Sequence, residues 1–189
     1  EVNYQCDFPF KTACDVFDKC IAPILNYGSE VWGPCVHEVI ETVHTKFCKN
    51  QLGVGVNTPT PAVLGECGRD RMYISCVIKC VKYWLKLISL PSETLLGASY
   101  SFLYNQCLLG KTNWASKIRD ILFRHGFGWV WENQKVEDEA LFMKMFSERL
   151  KDIEIQLWST DVKSMPKLRT YMLFKETRET ELYLYLYKL

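Results

Sequence analysis

With 189 residues, 48% of them apolar and 24% charged, the chain has the make-up of a globular protein with a buried core, and its length excludes a repeat array or a large multidomain enzyme. Its 23 basic and 22 acidic residues leave a formal charge of +1, so the overall charge does not announce a nucleic-acid partner. The distribution is less even: residues 1–68 hold 4 basic and 8 acidic groups, residues 69–131 hold 9 and 3, and residues 132–189 hold 10 and 11.

Nine cysteines run from Cys6 to Cys107, an odd number with no C-x-x-C pair, which predicts reduced thiols inside a cell and not a secreted disulfide framework. Glu1-Val2-Asn3-Tyr4 has neither the basic nor the apolar part of a signal peptide and no starting Met. The longest uncharged stretch, Thr94 to Gly110, is too polar for a spanning helix. The expectation is a soluble piece of a longer intracellular protein, nuclear or cytoplasmic, without a membrane partner.

Apolar positions at Ala13, Val16, Phe17, Cys20, Ile21, Ile24 and Leu25 predict a helix over 10–26, bent or ended by Pro23 and left through Tyr27-Gly28-Ser29. A second helix starts near Pro34, turns Val36, Val39, Ile40, Val43 and Phe47 inward, and stops by Gly53 and Gly55. Thr58, Pro59, Thr60 and Pro61 prepare a short helix from Ala62 to Cys67, closed by Gly68. From Met72 to Leu90 only Ser75, Lys79, Lys82, Lys86 and Ser89 interrupt the apolar run, and they recur with helical period, so this helix is buried over most of its circumference.

Ser92 and Glu93 open a helix to about Leu108, and Asn113 caps the next, with Trp114, Ile118, Ile121 and Leu122 on its inner face and His125-Gly126 at its end. Gly126 to Trp131 reads as a packed turn. Residues 135–162 predict one long helix, although the alternation of Ile153, Ile155 and Leu157 also permits a strand; Ser164 and Pro166 break it. The alternating leucines and tyrosines of Leu182–Leu189 leave that segment's type open. The fold class is therefore mostly α, an irregular multi-helix bundle, organised as 1–68, 69–131 and 132–189, or with 69–189 as one connecting domain.

Ile24-Leu25-Asn26-Tyr27-Gly28-Ser29-Glu30-Val31-Trp32-Gly33, Val43-His44-Thr45-Lys46-Phe47-Cys48-Lys49, Leu52-Gly53-Val54 and Thr60-Pro61-Ala62-Val63-Leu64-Gly65-Glu66 together resemble the reverse transcriptases of non-LTR, LINE-type retrotransposons, in the helical thumb and the region after it. Leu168-Arg169-Thr170-Tyr171-Met172-Leu173-Phe174-Lys175 and Glu181-Leu182-Tyr183-Leu184 resemble a downstream segment of the same reading frames. The resemblance covers most of residues 8–189 and contains no catalytic motif. Arg69-Asp70-Arg71-Met72 departs from the Arg-x-Pro-apolar corner common there, and neither the paired aspartates of the palm nor the downstream Cys/His-rich segment is present. The resemblance implies thumb-like helices in 1–68 and a non-catalytic fragment that helps its parent, an RNA-directed DNA polymerase, to grip template and primer. It implies RNA or an RNA–DNA duplex and the remainder of the parent polypeptide as partners, and no cofactor of the fragment's own. A helical protein-interaction module without nucleic-acid binding is the alternative.

Nucleotidyl transfer needs carboxylates grouped around two metal ions. Asp15 with Asp18, and Glu137-Asp138-Glu139, read instead as a polar helix side and an acidic first turn. His37, Glu41, His44 and Cys48 share one helical stripe, but one straight helix does not wrap a tetrahedral zinc, and a polar helix edge is the simpler reading. No catalytic and no metal-binding residue is assigned. The tryptophans Trp32, Trp84, Trp114, Trp129, Trp131 and Trp158 read as core. The candidate nucleic-acid contacts are Arg71, Lys79, Lys82 and Lys86, with Lys117 and Arg119 in the same basic third, because each neutralised phosphate adds affinity through counterion release.

Overall fold

A computed structural model of the chain describes residues 9–35 and 38–175; Leu182–Leu189 and His37 lie outside the described residues. The chain is mostly α, a multi-helix bundle with no strand among the described residues. In order the helices are α1 (Phe10–Val16), α2 (Ala22–Leu25), α3 (Ser29–Trp32), α4 (Glu38–Gln51), α5 (Thr60–Cys67), α6 (Met72–Ile88), α7 (Leu95–Leu108), α8 (Trp114–Arg124), α9 (Gly128–Asn133), α10 (Glu139–Ser164) and α11 (Arg169–Phe174). None is long and apolar enough to cross a membrane. Two units are distinguished: residues 9–27, 38–72 and 152–175 form one, and residues 28–35 and 73–151 the other.

In the first unit Pro23 does not end its helix. A π-helical turn, Phe17–Ile21, separates α1 from α2. Proline has no N–H and its ring crowds the carbonyl four residues back, and a widened turn just before it relieves both problems. Around α4 the apolar pattern misleads: Val39 is 77% exposed and Val43 also faces outward, whereas His44 and Cys48 are buried. The inward face is polar because it has polar partners, described below. The helix α5 matches the sequence, and Gly68 closes it at φ +60°. Its Gly65 lets other side chains come close, since a Cβ there would lie 2.6 Å from Tyr171 Oη and 3.0 Å from Trp158. Trp158 Nε1 donates to Pro61 O at 2.7 Å, and Lys175, which is buried, donates from Nζ to Gly65 O at 2.6 Å.

The second unit is organised around α6. Val77, Cys80, Val81, Trp84 and Leu85 are buried in one apolar cluster with Ile118 and Leu122 of α8, Val130 and Trp131 of α9, and Phe142, Phe146 and Leu150 of α10. Trp84 Nε1 donates to Tyr100 Oη at 2.8 Å, and that hydroxyl donates to Gln134 Oε1 at 2.5 Å, so two buried polar groups are satisfied without water. Asn113 caps α8 as predicted, in a reciprocal capping box with Ser116. The cap of α7 is Thr94, two residues beyond Ser92, with Oγ1 accepting from Gly97 N at 3.1 Å. The packed turn predicted at Gly126–Trp131 is largely helix: Gly126 reverses the chain at φ +85° and α9 follows. The long helix α10 leaves no strand at Ile153–Leu157.

Candidate nucleic-acid interface

Period decides which side of α6 meets solvent. Its apolar residues occupy every face but one, and Lys79, Lys82 and Lys86, at i, i+3 and i+7, fall together on that face, all exposed. At 1.5 Å per residue they span about 10 Å, the axial reach of roughly three phosphates of one strand. No described acid is ion-paired with any of the three. Trp84 and Leu85, between the lysines, are fixed in the core, so the stripe rides on a rigid helix.

The other candidate residues are engaged elsewhere. Arg71 belongs to the first unit, where its guanidinium meets Glu154 (Nε to Oε1, 3.3 Å) and Asp161 (Nη2 to Oδ2, 2.7 Å). Lys117 Nζ lies 2.7 Å from Cys35 Sγ. Arg119 chelates Asp120 Oδ1 through Nε at 3.0 Å and Nη2 at 2.9 Å and touches Cys107 Sγ at 3.5 Å. The structure therefore brings together three of the six residues and gives each of the remaining three a partner.

A polar cluster in the first unit was not predicted. Arg69 donates from Nε to His44 Nε2 at 2.8 Å, which leaves the imidazole proton on Nδ1, 4.0 Å from Glu41 Oε2. The same guanidinium forks onto both oxygens of Asp18 and lies over the rings of Phe17 (5.2 Å) and Phe47 (5.9 Å), which stack at 4.4 Å. The neighbouring Cys67 thiol holds Cys48 well below its ordinary pKa; burial opposes this, and His44 and Arg69 add to it. Cys48 in turn, with burial, pushes Cys67 up. Cys48 has no exposed surface, so its thiol has no route to a substrate. Among the described residues no three or more His, Cys, Asp or Glu side chains are grouped to hold a metal ion. The signal in the sequence was the stripe of His37, Glu41, His44 and Cys48, read there as a polar helix edge. Compared with known proteins, the chain matches no protein-family model, no curated protein and no solved structure.

Proposed function

We propose that the chain is a non-catalytic helical part of an RNA-directed DNA polymerase of the non-LTR retrotransposon type, and that it helps to hold the template-primer duplex through Lys79, Lys82 and Lys86. The observation that carries the reading is three exposed lysines, without an ion-pair partner among the described residues, on one face of a helix whose other faces are mostly buried. A duplex presents a regular row of phosphates, and a row of cations on a stiff rod neutralises it without ordering a loop. A further support comes from the segments that resemble such polymerases. Thr60–Glu66 forms most of α5, and Leu168–Lys175 packs on it through Lys175 to Gly65 O and Tyr171 Oη to Ala62 O at 3.4 Å. Two stretches a hundred residues apart thus act as parts of one folded body. Arg71, Lys117 and Arg119 are not needed for this role, because each would first have to leave its present partner.

The test is binding of a labelled RNA–DNA duplex across graded salt. Replacing Lys79, Lys82 and Lys86 by Gln is expected to flatten the slope of log affinity against log salt by up to about 2–3 units, at roughly 0.9 for each phosphate no longer neutralised. An unchanged slope would make the stripe a solubilising surface only.

A further inference from the structure

The second unit carries a different surface on α9 and α10. A groove of about 520 Å³ is lined by Phe127, Trp129, Val136, Leu141, Phe142 and Met145. Phe127 and Phe142 form a buried floor, edge to face at 5.5 Å, whereas Trp129 is 53% exposed, Leu141 54% and Met145 48%. Trp129 is also the exception to the expectation that the tryptophans are core. Three large apolar side chains that half-face water around one depression are the composition of an interface centre.

The rim is acidic. Glu137 and Asp138 line the groove with Lys135, while Glu132 and Glu139 flank it in sequence, at the end of α9 and the start of α10. Asp138 is occupied in capping α10, its Oδ1 accepting from Leu141 N at 2.9 Å. Glu132, Glu137 and Glu139 have no ion-pair partner among the described residues. The wall is also fixed in place. Gln134, at φ +48°, turns the chain out of α9, held by its own Nε2 donating to Trp131 O at 2.6 Å and by the hydroxyl of Tyr100. A site already in its bound shape loses little freedom when it is filled.

We propose that this groove docks a basic peptide segment of another polypeptide, one that sets a large apolar side chain against Trp129, Leu141 and Met145 and flanks it with lysine or arginine. Apolar lining alone would accept many occupants, and the acids narrow the choice. They repel the phosphates of a nucleic acid and attract cationic side chains, so this face is chemically opposite to the lysine stripe of α6. The inference stands independently of the nucleic-acid reading.

Fluorescence anisotropy on the full chain tests it with a labelled peptide Lys-Arg-Ile-Trp-Leu-Arg-Lys, a second in which every basic residue is Glu, and a third that keeps the charges but replaces the apolar centre with Gly-Ser-Gly. Binding of the first alone is expected, weakened about fivefold or more both by E137K/E139K and by M145E. Circular dichroism checks that these surface variants stay folded. Equal binding of the acidic or the Gly-Ser-Gly peptide would overturn the proposal, as would no binding of the first peptide at millimolar concentration. Binding of a labelled single-stranded RNA that M145E abolishes would assign the groove to nucleic acid, and a dimer that M145E dissolves would assign it to a second copy; either result also overturns it.

Discussion

Among the described residues, nineteen buried apolar side chains form one cluster in the unit built on α6; the unit that contains α5 has two clusters of four, with Lys175 and Glu154 buried and Arg69 half-buried beside them. The first kind of interior is held by area removed from water and tolerates no loss of volume. In the second kind each buried charge must keep its partner, because an orphaned one costs more than the pair contributes. The two interiors should therefore fail under different substitutions.

Trp84→Ala strikes the apolar interior hardest. It removes a fully buried ring stacked on Trp131 at 5.9 Å and leaves the Tyr100 hydroxyl without its indole donor. A loss of about 3–5 kcal/mol in denaturant unfolding is expected. In the polar interior Arg69→Ala should cost about 1–3 kcal/mol, because His44 loses the donor to its buried Nε2. Asp18→Asn cuts only the half-exposed end of the same fork and should cost about 0–1 kcal/mol. Equal losses for Arg69→Ala and Asp18→Asn would mean that the guanidinium acts as a surface group, and the contrast between the units would fail.

A smaller, pH-dependent effect sharpens the comparison, because one group in the apolar unit lacks what the polar unit supplies. Both ring nitrogens of His125 are buried without a hydrogen-bond partner among the described residues. Burial, with Arg124 and Arg149 nearby, holds its pKa below the ordinary histidine value. Below about pH 6.5 the unfolded chain binds a proton that the folded chain refuses, so unfolding becomes easier as pH falls. The stability is whole above that pH, declines by at most about 1.4 kcal/mol per pH unit, and levels off beneath the depressed folded value. His125→Leu should remove this decline from the pH profile of thermal unfolding; an undiminished slope would assign it to another group.

What the sequence made legible follows the same division. α6, α8 and α10 were readable because apolar side chains recur at helical period and Asn113 announces a cap. The inward face of α4 was not, since periodicity treats Val39 and Val43 as core and cannot know that Arg69, 25 residues after His44, would satisfy an imidazole. The helix α9 was missed because its glycines and aromatics resemble a turn, and only the buried Val130 and Trp131 show why it coils. Of the candidate interface, Lys79, Lys82 and Lys86 were legible from spacing on one helix. The engagement of Arg71 with Glu154 and Asp161 was hidden, because both acids lie more than eighty residues away in the chain.

The π-helical turn at Phe17–Ile21 bears on how the chain tolerates a change of length. Such a turn holds one residue more than an α-turn without adding a turn to the helix. A chain lacking one residue here would close the stretch as ordinary α-helix with residues 10–16 still in phase with α2, because the surplus residue is absorbed by the widened turn. The turn is thus a place where the chain can shorten by one without exchanging inward for outward positions. A single-residue deletion within α1 has no such reserve and would rotate the residues before it by about 100°.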